Sequence, residues 1–196
     1  MKKLSLNTAL LVIDVQVGFD NPAWGARNNP VAESNIAELI AVWRAVRAPV
    51  IHVHHNSPGR DGRLRAGTPA AAPKPEAQPL PGEAIYSKSV NAAFIGTSLE
   101  GDLRRRDIEA LMIVGLTTNH CVSTTARMAG NLGFETYVVA DATAAFDRLA
   151  LDGRLRPAEV VHRAALSDLH GEFATVIDTR VAIAAMTATT RKASHA

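Results

Sequence analysis

At 196 residues, 47% hydrophobic and 20% charged, the chain has the size and balance of one globular domain with a substantial buried core, which excludes disorder. Twenty-one Lys+Arg against nineteen Asp+Glu leave a formal charge of +2, too small to indicate nucleic acid or an anionic membrane as partner. The lone cysteine, Cys121, rules out an intrachain disulfide framework and leaves its thiol as either core filler or a reactive group.

The chain starts basic with Met1-Lys2-Lys3, but Ser5, Asn7 and Thr8 interrupt the run, Asp14 ends it and no small-residue cleavage site follows. No stretch approaches the ~20 apolar residues of a membrane span, so the expectation is a cytoplasmic protein. Thr8 to Val15 is a continuous apolar run, the pattern of a strand covered on both faces. Asn29-Pro30 reads as a helix start, with Asn as cap and Pro in the first position, before a stripe of Ile36, Leu39, Ile40, Trp43 and Val46. Pro49 to Val53 is a second strand and Ala84 to Tyr86 a third. Residues 57–83 between them hold six of the ten prolines and predict a long surface excursion without regular elements.

Thr97-Ser98-Leu99-Glu100 has the spacing of a capping box and opens a helix whose solvated end is Arg104-Arg105-Arg106. Ile108 to Val114 is a fourth strand, followed by a polar turn and a helix that stops at Gly133. Glu135 to Ala140 is a fifth strand, Pro157 opens another helix ending before Gly171, and Ala174 to Ile177 is a sixth strand. A polar tail, about residues 187–196, closes the chain. The alternation predicts one three-layer α/β domain over residues 1–196, a parallel sheet with helices on both faces.

Sites in such sheets form outside the carboxyl ends of strands. Asp14 closes the first strand, Lys88 follows the third, and Cys121 follows the fourth where a helix begins. A carboxylate at the end of an apolar run is costly unless paired. A thiol at a helix N-terminus, with an ammonium nearby, is expected to shift toward thiolate, and Asp14 is placed to carry its proton. Each residue taken singly reads better as cap, surface lysine or filler; spacing alone leaves the two readings balanced.

The residues also carry a family resemblance. Asp14-Val15-Gln16-Val17-Gly18-Phe19 resembles the D-x-Q-x-x-F segment of isochorismatase-like cysteine hydrolases, and Tyr86 to Thr97 resembles their lysine segment ending in A-F-x-G-T. Gly115 to Val122 is similar to their G-x-x-T-x-x-C-V nucleophile turn, and Thr125-Ala126-Arg127, Gly133 and Asp141-Ala142-Thr143 follow in the family's order. The resemblance implies a six-stranded sheet of order 3-2-1-4-5-6. It implies a triad with Asp14 as general base and acid, Lys88 as electrostatic partner and Cys121 as nucleophile. An oxyanion would lie against the backbone N–H groups of Thr117 and Cys121, and the Leu116–Thr117 peptide would be cis.

Within that family a cysteine at this position goes with hydrolysis of an amide or carbamoyl C–N bond through a thioester rather than vinyl-ether cleavage, so the resemblance implies a small-molecule amide as substrate and no cofactor. Phe19, Trp24, Gln16, His54 and His120 are the candidate substrate contacts, and Arg60, Arg63 and Arg65 could meet an anionic group. His52, His54 and His55 suggest a metal, but the aspartate and downstream histidine of the family's nicotinamidases are missing, so no metal is expected. The rival readings are a metal-assisted, nicotinamidase-like amidase and a binding scaffold without turnover. Relatives are homo-oligomers, and the Pro-rich excursion is the candidate contact.

Overall fold

The computed structural model describes residues 4–59 and 62–193. Arg60 and the last residues of the expected tail, 194–196, lie outside them. Six strands form the main sheet: β1 (Ala9–Ile13), β2 (Val50–His55), β3 (Ala84–Lys88), β4 (Ala110–Leu116), β5 (Glu135–Ala144) and β8 (Thr175–Ile177). Their spatial order is β3-β2-β1-β4-β5-β8, every pairing parallel, which is the order 3-2-1-4-5-6 among the sheet strands. Two short antiparallel strands, β6 (Arg148–Leu149) and β7 (Leu155–Arg156), form a separate hairpin that the apolar pattern did not signal.

The five helices are α1 (Ala32–Ala45), α2 (Leu99–Arg105), α3 (Ser123–Asn131), α4 (Ala158–Leu169) and α5 (Thr179–Ala193). Strand alternation explains why β1 is apolar throughout. Leu11 and Ile13 pack with Leu99, Leu103, Ala126 and Leu169 of α2, α3 and α4, whereas Leu10 and Val12 pack with Ile36, Leu39 and Trp43 of α1 and Met186 of α5. Both faces of the sheet are therefore covered. At Gly115 the chain has φ 121° and a Cβ there would lie 1.9 Å from the carbonyl oxygen of Ile13, so β1 and β4 approach as closely as they do only with glycine. Among the described residues no helix is long and apolar enough to cross a membrane.

Several local expectations are corrected by distant partners. Asn29 does not cap α1; Val31 stands at the cap, and the Asn29 amide donates to the carbonyls of Ala140 and Thr143 beside β5. No capping box forms at α2: Thr97 Oγ1 donates back to the Ala93 carbonyl, and Ser98 Oγ donates to Asp102. The expected tail is instead the continuation of α5 to Ala193. The Pro-rich excursion contains two 3₁₀ turns, Pro69–Ala71 and Pro75–Ala77, and is stitched to the segment after β1 by Val17 N–H to Ala72 O and Lys74 N–H to Val15 O, both 2.9 Å. It is a wall of the molecule, with Leu64, Lys74 and Ala77 buried.

Candidate active site

Asp14 is the first residue past β1 and takes φ 52°, a left-handed turn that lifts the chain off the sheet edge. Lys88 ends β3 and Cys121 sits in a π-helical turn, Thr118–Val122, between β4 and α3. The parallel sheet delivers these three strand ends to one edge. Lys88 Nζ donates to Asp14 Oδ2 at 2.6 Å, and both side chains are wholly buried. Oδ1 of Asp14 is buried with no hydrogen-bond partner among the described residues. It faces the region of Cys121, whose sulfur lies within 4.8 Å of Asp14 and His55 ligand atoms. The Leu116–Thr117 peptide is cis, and the Thr117 carbonyl accepts from the N–H groups of His120 and Val122.

Electrostatics correct one expectation. Burial, reinforced by the Asp14 carboxylate, pushes the Cys121 thiol up to about 12, and Lys88 only partly offsets this. Cys121 therefore rests as a thiol: its place at the head of α3 does not make it a standing thiolate. Burial likewise raises the Asp14 carboxyl above the usual range, against the pull of Lys88. A thiol beside a basic carboxylate is a proton donor and acceptor ready to exchange.

Above the sulfur opens a cavity of about 130 Å³. Phe19 and Trp24 form one wall, their ring centroids 5.1 Å apart and both near Phe146. Thr117 and His120 form another, and His55, Asn91, Ser57, Arg63 and Leu64 close the rim. Asn91 Oδ1 is 3.8 Å from the Cys121 sulfur. Phe19, Trp24, Thr117 and His120 all line this cavity with Cys121. Burial, and then the charge of Arg148, lower the basicity of His120. Arg65 is exposed and does not line the cavity.

Gln16 and His54 do not belong to the cavity. The Gln16 amide bonds to the backbone on both sides, donating to His55 O and Ala71 O and accepting from His55 N–H, so it is committed to joining β2 and the Pro-rich wall. His54 faces the other side of β2 with His52, their rings 6.3 Å apart. The neighbour, His55, is the one on the Cys121 side. Its Nδ1 lies 3.2 Å from Lys88 Nζ, and because an ammonium only donates, this nitrogen must accept; burial and that ammonium lower its basicity to about 4. Period-2 alternation separates 54 from 55 but cannot say which face of β2 meets the thiol. Asn91 lies inside the lysine segment and was available from it. Buried His162 of α4, with Nδ1 2.8 Å from Thr118 Oγ1, carried no local signal.

The three histidines do not converge on a metal site. His52 Nε2 is 2.9 Å from Glu83 Oε2, which also binds Arg44. Asp14, His55 and Cys121 do offer oxygen, nitrogen and sulfur within 4.8 Å. However, the Lys88 ammonium already occupies the cation position against the first two, so a metal ion there would meet a fixed positive charge. The donor set does not fit a resident metal.

With this geometry in hand, the likeness to known proteins is specific. The family model for the isochorismatase domain matches residues 8–181. The chain is 43% identical over 171 residues to the isochorismatase-family protein YrdC of Bacillus subtilis, covering 87% of this chain and 91% of that one. It is 31% identical over 183 residues to Nicotinamidase 3 of Arabidopsis thaliana, covering 87% and 84%. The crystal structure of a hydrolase of the isochorismatase family from Chromobacterium violaceum matches with a TM-score of 0.92 at 40% identity, covering 96% of this chain and 99% of that one.

Proposed function

Because this chain belongs to the isochorismatase family of hydrolases, we propose that it hydrolyses the C–N bond of a small amide or carbamoyl compound through a thioester on Cys121. The observation that carries this reading is the buried Asp14–Lys88 pair set against the thiol on the floor of the cavity. The likeness to a nicotinamidase supports an amide as the bond attacked.

Asp14 takes the thiol proton as the sulfur attacks the carbonyl carbon, and the carbonyl π electrons move to oxygen. The backbone N–H groups of Thr117 and Cys121 are the donors assigned to that oxyanion. Collapse breaks the C–N bond, and the amine leaves with the proton from Asp14. Water then attacks the thioester, passing its proton to Asp14. A second collapse expels the thiolate, which Asp14 reprotonates. The net reaction consumes one water and releases a carboxylic acid and ammonia or an amine. Lys88, bonded to Asp14 Oδ2, favours the carboxylate and so opposes the effect of burial, which raises the Asp14 carboxyl.

Nicotinamide, biuret, ureido acids and lactam-type amides form the panel for ammonia release. A quenched reaction examined by intact mass is expected to show an acyl adduct on Cys121. Turnover that continues in enzyme alkylated stoichiometrically at Cys121 would overturn the reading. The metal-assisted alternative is opposed by Lys88, and a silent binding scaffold has no need of the Asp14–Lys88–Cys121 arrangement. A cytoplasmic location remains part of the proposal.

The reading includes a homo-oligomer, and beside the Pro-rich excursion, where Leu64 and Ala77 are buried but Leu80 is exposed, it has a second candidate contact. Leu149, Leu151 and Leu155 on and between β6 and β7 are exposed, at 73%, 111% and 62%. A two-stranded hairpin alone is marginal in water, so a second subunit over these leucines is the expected cover. Sedimentation velocity at micromolar protein should give at least a dimer, and Leu151→Asp should shift it to monomer. A monomeric wild type sinks this contact.

A further inference from the structure

One residue of the cavity has no part in the bond-breaking machinery. Arg63 lies on the loop that leaves β2, and the local sequence builds that loop tightly. Ser57 N–H donates to Leu64 O at 3.1 Å, and Leu64 N–H donates back to Ser57 Oγ at 3.3 Å, closing the loop on itself. Gly62 sits inside the closure, where a Cβ would come 2.4 Å from the Ser57 side chain. Leu64 is then buried against Phe19, Leu116 and Phe146. The loop rests on Gly18, where a Cβ would meet Leu64 Cδ2 at 2.5 Å and the Arg63 carbonyl at 2.9 Å.

This seating sets the Arg63 guanidinium carbon over the Trp24 ring, 4.4 Å from its centroid, with Nη1 donating to the Ala23 carbonyl at 3.2 Å. A cation over the ring face spends none of its N–H groups there, and the bond to Ala23 uses one of the five, so the fork keeps donors for a ligand. Arg63 forms no salt bridge among the described residues.

The charge of the cavity follows by subtraction. Asp14, the only carboxylate among its lining residues, is already paired with Lys88. His55 and His120 are both less basic than a free imidazole. Among the described residues that line the cavity, Arg63 is thus a cation without a carboxylate partner. A cavity of about 130 Å³ suits a small ligand.

Resting on the amidase reading, we propose that the substrate is a short amide that carries a carboxylate, held by Arg63 on the Trp24 platform while its amide carbonyl lies on Cys121. Planar bidentate pairing suits a carboxylate to a guanidinium, and the aromatic wall takes the short apolar link between the two ends. A cationic amide would meet a like charge.

Succinamate and its neutral counterpart succinamide test this as a matched pair. The ratio of kcat/KM for succinamate over succinamide is expected to exceed tenfold in the wild type. It should fall at least tenfold in Arg63→Gln, mainly through KM for succinamate, with Arg63→Lys between the two because it keeps charge but not the fork. Equal use of both amides by the wild type, or a preference that survives in Arg63→Gln, overturns the assignment while leaving the amidase reading intact. That reading fails separately if hydrolysis of either amide survives Cys121→Ala. Should neither amide be turned over, calorimetry with succinate decides: binding by the wild type that is lost in Arg63→Gln upholds the carboxylate clamp, and no binding to the wild type refutes it.

Discussion

Cys121→Ala is expected to lower hydrolysis by on the order of 10⁴-fold or more, because no other group on the cavity floor can form the acyl intermediate. Asp14→Asn should lose a comparable factor for a different reason. Its thiol keeps its place but has no acceptor for its proton, since burial holds it far from ionisation at neutral pH. The two variants are separated by alkylation. The wild-type thiol should react with iodoacetamide more slowly at pH 7 than a free cysteine while remaining fully active in turnover. That pairing distinguishes a thiol activated by its base during attack from a standing thiolate. Rapid alkylation at neutral pH that persists in Asp14→Asn would contradict the proton-transfer role. Asp14→Asn also leaves Lys88 buried and unpaired, so its folding must be checked by circular dichroism alongside the kinetics.

Glu33→Ala should produce the largest loss of stability among variants outside the cavity, about 3–5 kcal/mol. At roughly 2–4 °C per kcal/mol for a chain of this size, melting falls by roughly 10 °C. Glu33 is buried at the start of α1, accepts both arms of the Arg27 fork at 2.7 Å and accepts from Lys74 Nζ at 2.7 Å. Lys74 is itself buried, and its other partner, Asp20, is exposed. Removing the carboxylate strands two cations, one of them in the wall that shapes the cavity. A loss below 1 kcal/mol by chemical denaturation would show the network to be dispensable.

The same network sets an acid limit. Arg27 and Lys74 hold the Glu33 carboxyl at about 2, and Arg44, the Leu80 N–H and His52 hold Glu83 at about 2, both below the 4.5 of a free glutamate. The unfolded chain therefore takes up these protons first. Their stabilisation is complete above about pH 4.5 and is lost as the pH falls toward 2. Melting temperature against pH should be steep in that window for the wild type and flatter for Glu33→Ala.

The layered fold was legible because β1 is apolar at every position, a pattern that requires helices on both faces. The three strand-end residues were legible because a parallel sheet sends the carboxyl ends of β1, β3 and β4 to one edge. Other features depended on partners far along the chain. The head of α5 is held by Asp141, whose carboxylate accepts from the N–H and the hydroxyl of Thr179, thirty-eight residues away. Among the described residues its fully buried apolar side chains are Ala182 and Met186, with Ile183 and Ala185 partly buried, and the Thr- and Ala-rich stretch after them read as tail. Gln16 looked like a substrate contact because it lies in a motif, yet its amide is saturated by the backbone of residues 55 and 71.

The sequence by itself determined the six sheet strands and the helices α1 to α4, the strand order through the family likeness, and which acid, ammonium and thiol stand at neighbouring strand ends. Those are properties of periodicity and position along the chain. Only the tertiary structure decided that Cys121 rests as a thiol, that His55 and not His54 faces it, and that Arg63 lines the cavity over the Trp24 ring. Burial and charge pairing are set by groups distant in sequence, and the same residue types change protonation and role with the company that folding gives them.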